Sequence, residues 1–306
     1  MALAALSGDA QCIIFSQLCN VLDMRVAVAF SSTSSELRAL TQALRQQLRA
    51  DHEVAATLGR KVGMRSCKAL REAMSVSCSH KGLSAADLAT LGTLGSVLPA
   101  LEVLHLIDEP AAGPDGVQRL AEGLGAGALP ALTLLGFGEM HVGDAGASAL
   151  AAALGGGALP RLKHLTLANA AIGDAGLVAL APALRRRPAL EILSLNGNPL
   201  GDEGLAALLA PPPPPAGALS PPTGVLTKLK GLDLRDTPRS PTPAAPPSSL
   251  KRLYLPYTQI TDAGCAALAS ALDGGALPAL ELLIIHGIPA SEAATAPLMA
   301  RFHPDS

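Results

Sequence analysis

Leucine follows one rule seven times along the chain, Leu-x-x-Leu-x-Leu. The pattern reads Leu101/Leu104/Leu106, Leu132/Leu135/Phe137, Leu162/Leu165/Leu167, Leu190/Leu193/Leu195, Leu229/Leu232/Leu234, Leu250/Leu253/Leu255 and Leu280/Leu283/Ile285. Successive first positions lie 31, 30, 28, 39, 21 and 30 residues apart, and the 39 and 21 together span two repeats of about 30. Apolar residues alternating over so short a stretch predict a strand with one buried face. A fixed period in this range marks a stacked repeat protein, in which no unit buries its apolar edge alone. Function is therefore expected on a long surface rather than in a pocket.

After most of these strands comes Gly-Asp-x-Gly: Gly143-Asp144-Ala145-Gly146, Gly173-Asp174-Ala175-Gly176 and Gly201-Asp202-Glu203-Gly204, with variants at Thr261–Gly264 and Gly113–Gly116. An Asp there is expected to cap its own helix, accepting the orphan N–H groups of the first turn. Ala- and Leu-rich segments such as Leu177–Ala181 and Cys265–Ala269 predict closely packed helices. Glycines such as Gly155–Gly157 and Gly274-Gly275 then predict their ends. Strand, helix and parallel strand in succession predict a right-handed α/β solenoid, a horseshoe with its parallel sheet on the concave face.

Before the first repeat, residues 9–78 read as a small all-α module. Thr33-Ser34-Ser35-Glu36 has the form of a capping box, followed by Leu37, Leu40, Leu44 and Leu48 at helix-face spacing. Ile13, Ile14, Leu18, Val21 and Leu22 predict an earlier helix, and Asp23 a cap for another over Met24–Phe30. Leu83–Leu98, opened by Ser84 and Asp87, reads as the helix of a zeroth repeat that covers the open end of the stack. The divisions are thus 1–8 (a flexible N-terminus), 9–78 (helical), 83–299 (the solenoid) and 300–306 (a tail).

The chain resembles the leucine-rich repeat family, in its long-repeat, ribonuclease-inhibitor-like class, over about residues 83–299. The resemblance implies an Asn after each strand that bonds strand-to-helix backbone groups. Here Asn198 stands in place, Asn169 is one residue early, and Thr237 and Thr258 occupy two other sites. Turns without the Asn are expected to be looser. The insertions at 211–222 and 237–249 are rich in proline, which excludes a normal helix there and predicts an extended, polyproline-II-like loop. They read as tolerated insertions; recognition by SH3- or WW-type domains, or phosphorylation at Ser240 and Thr242, is the alternative.

Charge narrows the partners. With 23 Lys+Arg against 25 Asp+Glu, nothing favours nucleic acid or an anionic membrane. The absence of Trp, with 2 Tyr and 4 Phe, argues against an aromatic-rich hot spot. Cys12, Cys19, Cys67, Cys78 and Cys265 form no C-x-x-C pair and read as free thiols in a reducing compartment. The start Met-Ala-Leu-Ala-Ala-Leu has no basic region and reads as no signal peptide, and no apolar run reaches ~18 residues. A cytoplasmic protein is expected, or a nuclear one.

No catalytic constellation emerges. Gly123-x-Gly125-x-Gly127 follows a predicted helix and reads as a turn rather than a phosphate loop. His105, His164 and His286 fall on strands that are not neighbours, so no metal is expected, and no cofactor. The expected function is a non-enzymatic scaffold that binds a protein partner through outward strand positions. The candidate contacts are Asp233, Arg235, Arg252 and Tyr254, with His105, His164, Asn196 and His286 on the same face. The first four concentrate charge and aromatic surface on two strands.

Two other resemblances bear on function. Ile13–Leu18, Val26–Ser32 and Leu37–Leu40 are similar to parts of an F-box, although the Leu-Pro opening is missing and Leu37 stands where Trp is common. An F-box before leucine-rich repeats implies a substrate adaptor that docks a ubiquitin-ligase linker subunit through residues 11–48; a plain helical cap is the alternative. Activators of Ran-type GTPases also use long leucine-rich repeats, but an acidic tail would be expected, and this chain ends Arg301-Phe302-His303-Pro304-Asp305-Ser306.

Overall fold

The computed structural model describes residues 6–33, 35–187, 189–200, 207, 229–234, 250–256, 261–273 and 279–302, without the side chains of 263, 264, 267, 270 and 271. Arg235, Thr237, Thr258, the Gly201–Gly204 turn, Gly274-Gly275 and both proline-rich segments lie outside these, as does most of the N-terminal stretch and of the tail.

Eight parallel strands form one sheet in strict chain order. They are β1 (Ser75–Ser79), β2 (Val103–Ile107), β3 (Leu134–Gly138), β4 (His164–Ala168), β5 (Ile192–Ser194), β6 (Gly231–Asp233), β7 (Arg252–Tyr254) and β8 (Leu282–Ile284). The second and third leucines of each pattern point into one continuous core, with Leu104, Leu106, Leu165, Leu167, Leu193 and Leu195 fully buried. Helices α6 (Ala85–Thr93), α7 (Gly113–Gly123), α8 (Gly143–Gly155), α9 (Asp174–Arg185), α10 (Asp262–Asp273) and α11 (Glu292–Phe302) cover the other side of that core.

β1 begins inside the stretch read from sequence as helical. Its inward residues, Val76 and Cys78, align with Leu104 and Leu106, so the zeroth repeat has a strand as well as a helix. The helices before it are α1 (Gly8–Leu18), α2 (Arg25–Ser32), α3 (Ser35–Leu40), α4 (Gln42–Lys61) and α5 (Cys67–Glu72). They serve two cores. Phe15, Ala27, Phe30 and Leu37 make a small one, with Phe15 and Phe30 edge-to-face at 5.5 Å. Ala55 and Leu58 of α4 and Leu70 of α5 instead join the core of the repeats. The expected helix through Leu37, Leu40, Leu44 and Leu48 is broken at Thr41, whose Oγ1 donates to Leu37 O (2.6 Å), and Leu40 turns outward. On α1, too, Phe15 is the buried hydrophobic residue while Ile13 and Leu18 are exposed. Asp87 closes the capping box of α6 with Ser84 and also pairs with Lys61 of α4 (2.6 Å), tying α4 to the first repeat.

Asp144 does not cap its own helix. Gly173, at the N-cap of α9, has no side chain to offer, and Asp144 of α8 reaches forward one repeat to supply the cap, accepting from Gly173 N and Gly176 N. Asp262 does the same for α11: it accepts from the backbone N–H of Ser291 (2.6 Å), the residue that opens that helix. The second glycine of Gly-Asp-x-Gly follows from this contact, because a Cβ on Gly176 would come within 2.5 Å of Asp144 Oδ1.

Asn198 is buried at the position the family resemblance assigns. Its Oδ1 accepts from Ala170 N and Ile172 N, and its Nδ2 donates to Leu167 O and Leu195 O. Glu109 holds the same place one end of the stack away, buried, accepting from Lys81 N (2.5 Å) and Leu83 N (2.7 Å). Between them Met140 and Ala170 occupy the site as buried apolar residues, and Val142 N and Gly143 N close the turn on Ala170 O.

Candidate functional site

Strand register arranges the outward side chains in rows across the sheet. One row runs Val103, Leu134, His164, Ile192, Gly231, Arg252, Leu282, and the next His105, Gly136, Thr166, Ser194, Asp233, Tyr254, Ile284. Ile107, Gly138 and Ala168 extend a third row on the longer strands. Nearly all are half-buried by their neighbours, whereas Arg252 is exposed. Gly136 contributes no surface: His105 packs over it, with its Cδ2 2.9 Å from where a Cβ would stand.

Of the candidate residues, the fold brings three together. Asp233 lies beside Tyr254, and Arg252 beside Gly231, which offers it no side chain to lean on. His105 on β2 and His164 on β4 are separated by β3, and His286 stands exposed beyond β8. Asn196 turns its Oδ1 to accept from Ser194 Oγ (2.6 Å).

Sequence reasoning missed a charged row along the edge where the strands begin. The residue after the first Leu of each pattern forms it: Glu102, Thr133, Lys163, Glu191, Lys230, Lys251 and Glu281. From Thr133 onward, the backbone N–H of each donates to the carbonyl of the one before. Lys230 Nζ pairs with Glu191 (2.7 Å) and Lys251 with Glu281. The Lys230 hydrogen bond holds the Glu191 carboxyl below its ordinary range, against a small effect of burial. The second position of the seven patterns carried this signal.

Other chemistry-bearing groups are structural in their geometry. All five cysteines are free. His52 Nδ1 bonds to Val21 O (2.6 Å), which leaves Nε2 3.9 Å from Cys67 Sγ. Burial pushes that thiol up, the opposite direction from the lowered thiol of an activated nucleophile. A cleft of about 800 Å³ beside β1 holds Arg25, Arg71 and Asp23, but these pair among themselves, Asp23 with Arg25 at 2.5 Å and with Arg71 at 3.6 Å. Among the described residues no three His, Cys, Asp or Glu side chains converge as metal ligands, and no helix is long and apolar enough to cross a membrane.

The Leucine Rich repeat family matches residues 159–181, 188–209 and 247–269, the stretches that contain β4, the start of α9, β5, β7 and much of α10. With the eight parallel strands and their crossover helices, these matches give the described chain the fold of a leucine-rich repeat solenoid. Among solved structures, an internalin of Listeria monocytogenes is similar, with 17% identity over 78% of this chain and a TM-score of 0.42. This chain covers 59% of that internalin's length. Internalin C2 of the same species is 19% identical over 80% of this chain and 88% of its own, with a TM-score of 0.47. No curated protein matches the sequence.

Proposed function

We propose that this protein is a non-catalytic scaffold that binds a protein partner through the concave sheet, centred on Asp233, Arg252 and Tyr254. The observation that carries this reading is the register of β6 and β7. It sets Asp233 against Tyr254 and leaves the exposed Arg252 beside a glycine, so charge and aromatic surface meet on an otherwise half-buried, largely aliphatic face. Arg235, two residues beyond Asp233, belongs to the same proposal from sequence alone. Free thiols, three of them buried, support a reducing, cytoplasmic setting. The test is affinity purification of a partner, followed by binding measurements with Arg252→Ala and Tyr254→Ala.

A second reading is favoured by α1–α3. Of the eight exposed large hydrophobic residues among those described, Ile13, Leu18, Val26, Val28 and Leu40 lie on these three short helices, with Ile13 63% and Val28 57% exposed. That concentration supports the adaptor reading, in which residues 11–48 engage a ubiquitin-ligase linker subunit. Ile13→Asp and Val28→Asp leave the Phe15–Phe30 core in place. Loss of the linker subunit in both, with the concave mutants unaffected, would decide for the adaptor.

A further inference from the structure

We propose that Arg38, Arg45 and Arg49 form a binding site for a phosphoserine- or phosphothreonine-bearing peptide, on the N-terminal helices and apart from the concave sheet. α3 supplies Arg38, and α4 supplies Arg45 and Arg49, which are four residues apart and so share a helix face. Two adjoining clefts of about 440 and 230 Å³ are each lined by all three arginines. The rest of both linings is hydroxyl, amide or apolar, and neither contains a carboxylate.

Among the described residues no carboxylate pairs with these three cations. Arg38 Nε reaches only a backbone carbonyl, Ser31 O (3.5 Å), and Arg45 Nη2 donates to Arg38 O (3.0 Å). Arg45 Nε is buried without a partner. Among the described residues the ion pairs all involve other cations. Arg25 and Arg71 share Asp23, and Lys61 holds Asp87. Like charges at i, i+4 oppose helix formation, and a buried guanidinium N–H without an acceptor costs free energy until a ligand supplies one.

The missing group is a compact anion with several acceptor oxygens. A phosphate monoester carries about −1.5 to −2 charge and three strong acceptors, and the planar fork of Arg matches it in bidentate fashion. The second cleft adds an apolar wall of Met24, Ala27 and the exposed Val28, suited to a side chain flanking the phosphate. That wall favours a peptide over a headgroup. The chain's net charge of −2 gives no extended positive field for a nucleic acid or an anionic bilayer.

The probe is an oriented library of fluorescent phosphoserine peptides, and the same library dephosphorylated, titrated against the full chain by fluorescence polarisation. Phosphorylated members are expected to bind at least about tenfold more tightly than their counterparts. Arg45→Gln and Arg49→Ala should each lose about tenfold. Arg60→Ala should bind like wild type, since Arg60 reaches Thr57 Oγ1 outside both clefts. Arg49 bears no structural hydrogen bond among the described residues, so its variant is informative even if Arg45→Gln fails to fold by circular dichroism. Equal binding of the two libraries would overturn the proposal, as would full binding by Arg49→Ala. Binding confined to phosphoinositide vesicles, or inorganic phosphate competing as well as the peptides compete with one another, would also overturn it. The site is separate from the concave face, so failure of either reading leaves the other to its own test.

Discussion

Asp144 Oδ1 accepts hydrogen bonds from Gly173 N at 2.7 Å and Gly176 N at 3.0 Å, so the carboxylate at the start of α8 caps the helix of the next repeat. At Asp144, as at Asp262, the carboxylate is thus a link between units rather than a local signal within one. A solenoid is held together by such nearest-neighbour terms, and the bond places a negative charge at the positive end of the following helix dipole.

Removing that link should show in the neighbour. Asp144→Ala is expected to destabilise the array by about 0.5–2 kcal/mol, the usual cost of a lost cap. Hydrogen exchange should quicken first at Gly173–Leu177 rather than within α8. Faster exchange in α8 alone would mean that the carboxylate serves its own helix after all.

The buried turn bridges should be more sensitive. Asn198→Ala leaves the N–H groups of Ala170 and Ile172 and the carbonyls of Leu167 and Leu195 without their partners, and is expected to cost about 2–4 kcal/mol in urea melts. Glu109 presents acceptors only. Glu109→Gln would turn an NH2 toward a backbone donor, Lys81 N or Leu83 N, and should cost about 1–3 kcal/mol despite its equal size. A neutral outcome for Glu109→Gln would mean that Lys81 N and Leu83 N find other acceptors.

The inward strand face supports a simpler prediction. Leu165 is fully buried between Leu135 and Leu193 in register, so Leu165→Ala should cost about 2–5 kcal/mol by opening a cavity. A thermal melt unchanged from wild type would contradict the inward assignment.

These contacts explain what was legible in the sequence. The Leu-x-x-Leu-x-Leu strands could be read because one long aliphatic residue type recurs at every inward site. β1 escaped because Val76 and Cys78, set among serines, replace the leucines; only their 28-residue offset from Leu104 and Leu106 marks the register. The role of Asp144 was hidden because its partner lies 29 residues on, while cap patterns are read over three or four. Leu40 kept helix-face spacing but lost its buried side when Thr41 broke the helix. The concave candidates were legible as alternating positions. That His105 would cover Gly136 was not, because it depends on which way the imidazole turns.

Cys78 gives stability a pH dependence. Burial, and then the charge of Glu109, pushes its thiol up to about 11 from an ordinary 9.0. Between these values the unfolded chain releases a proton that the folded chain keeps, so stability present below pH 9 falls as pH rises toward about 11. The thiols of Cys19, Cys67 and Cys265 are raised by burial too and act in the same direction. Cys78→Ala should make the fall in unfolding free energy between pH 9 and 11 shallower by of order 2 kcal/mol, at about 1.4 kcal/mol per pKa unit. An unchanged slope would place the titration elsewhere.

The concave-face proposal stands on β6 and β7. Arg and Tyr are enriched among interface hot spots, and binding energy concentrates in a few such residues near the centre of an interface. Arg252→Ala and Tyr254→Ala should therefore each weaken binding of a purified partner by more than ~1 kcal/mol, measured by calorimetry. Arg186→Ala, an exposed change in the helix layer, should leave it unaltered. The Lys230–Glu191 pair flanks the same patch at the sheet edge and tests its extent. Reversing Lys230 to Glu should slow association and flatten its salt dependence if the partner is acidic, with little effect on dissociation. A partner indifferent to Arg252 and Tyr254 but lost with Ile13→Asp and Val28→Asp would move the binding site to the N-terminal helices and end the concave-face model.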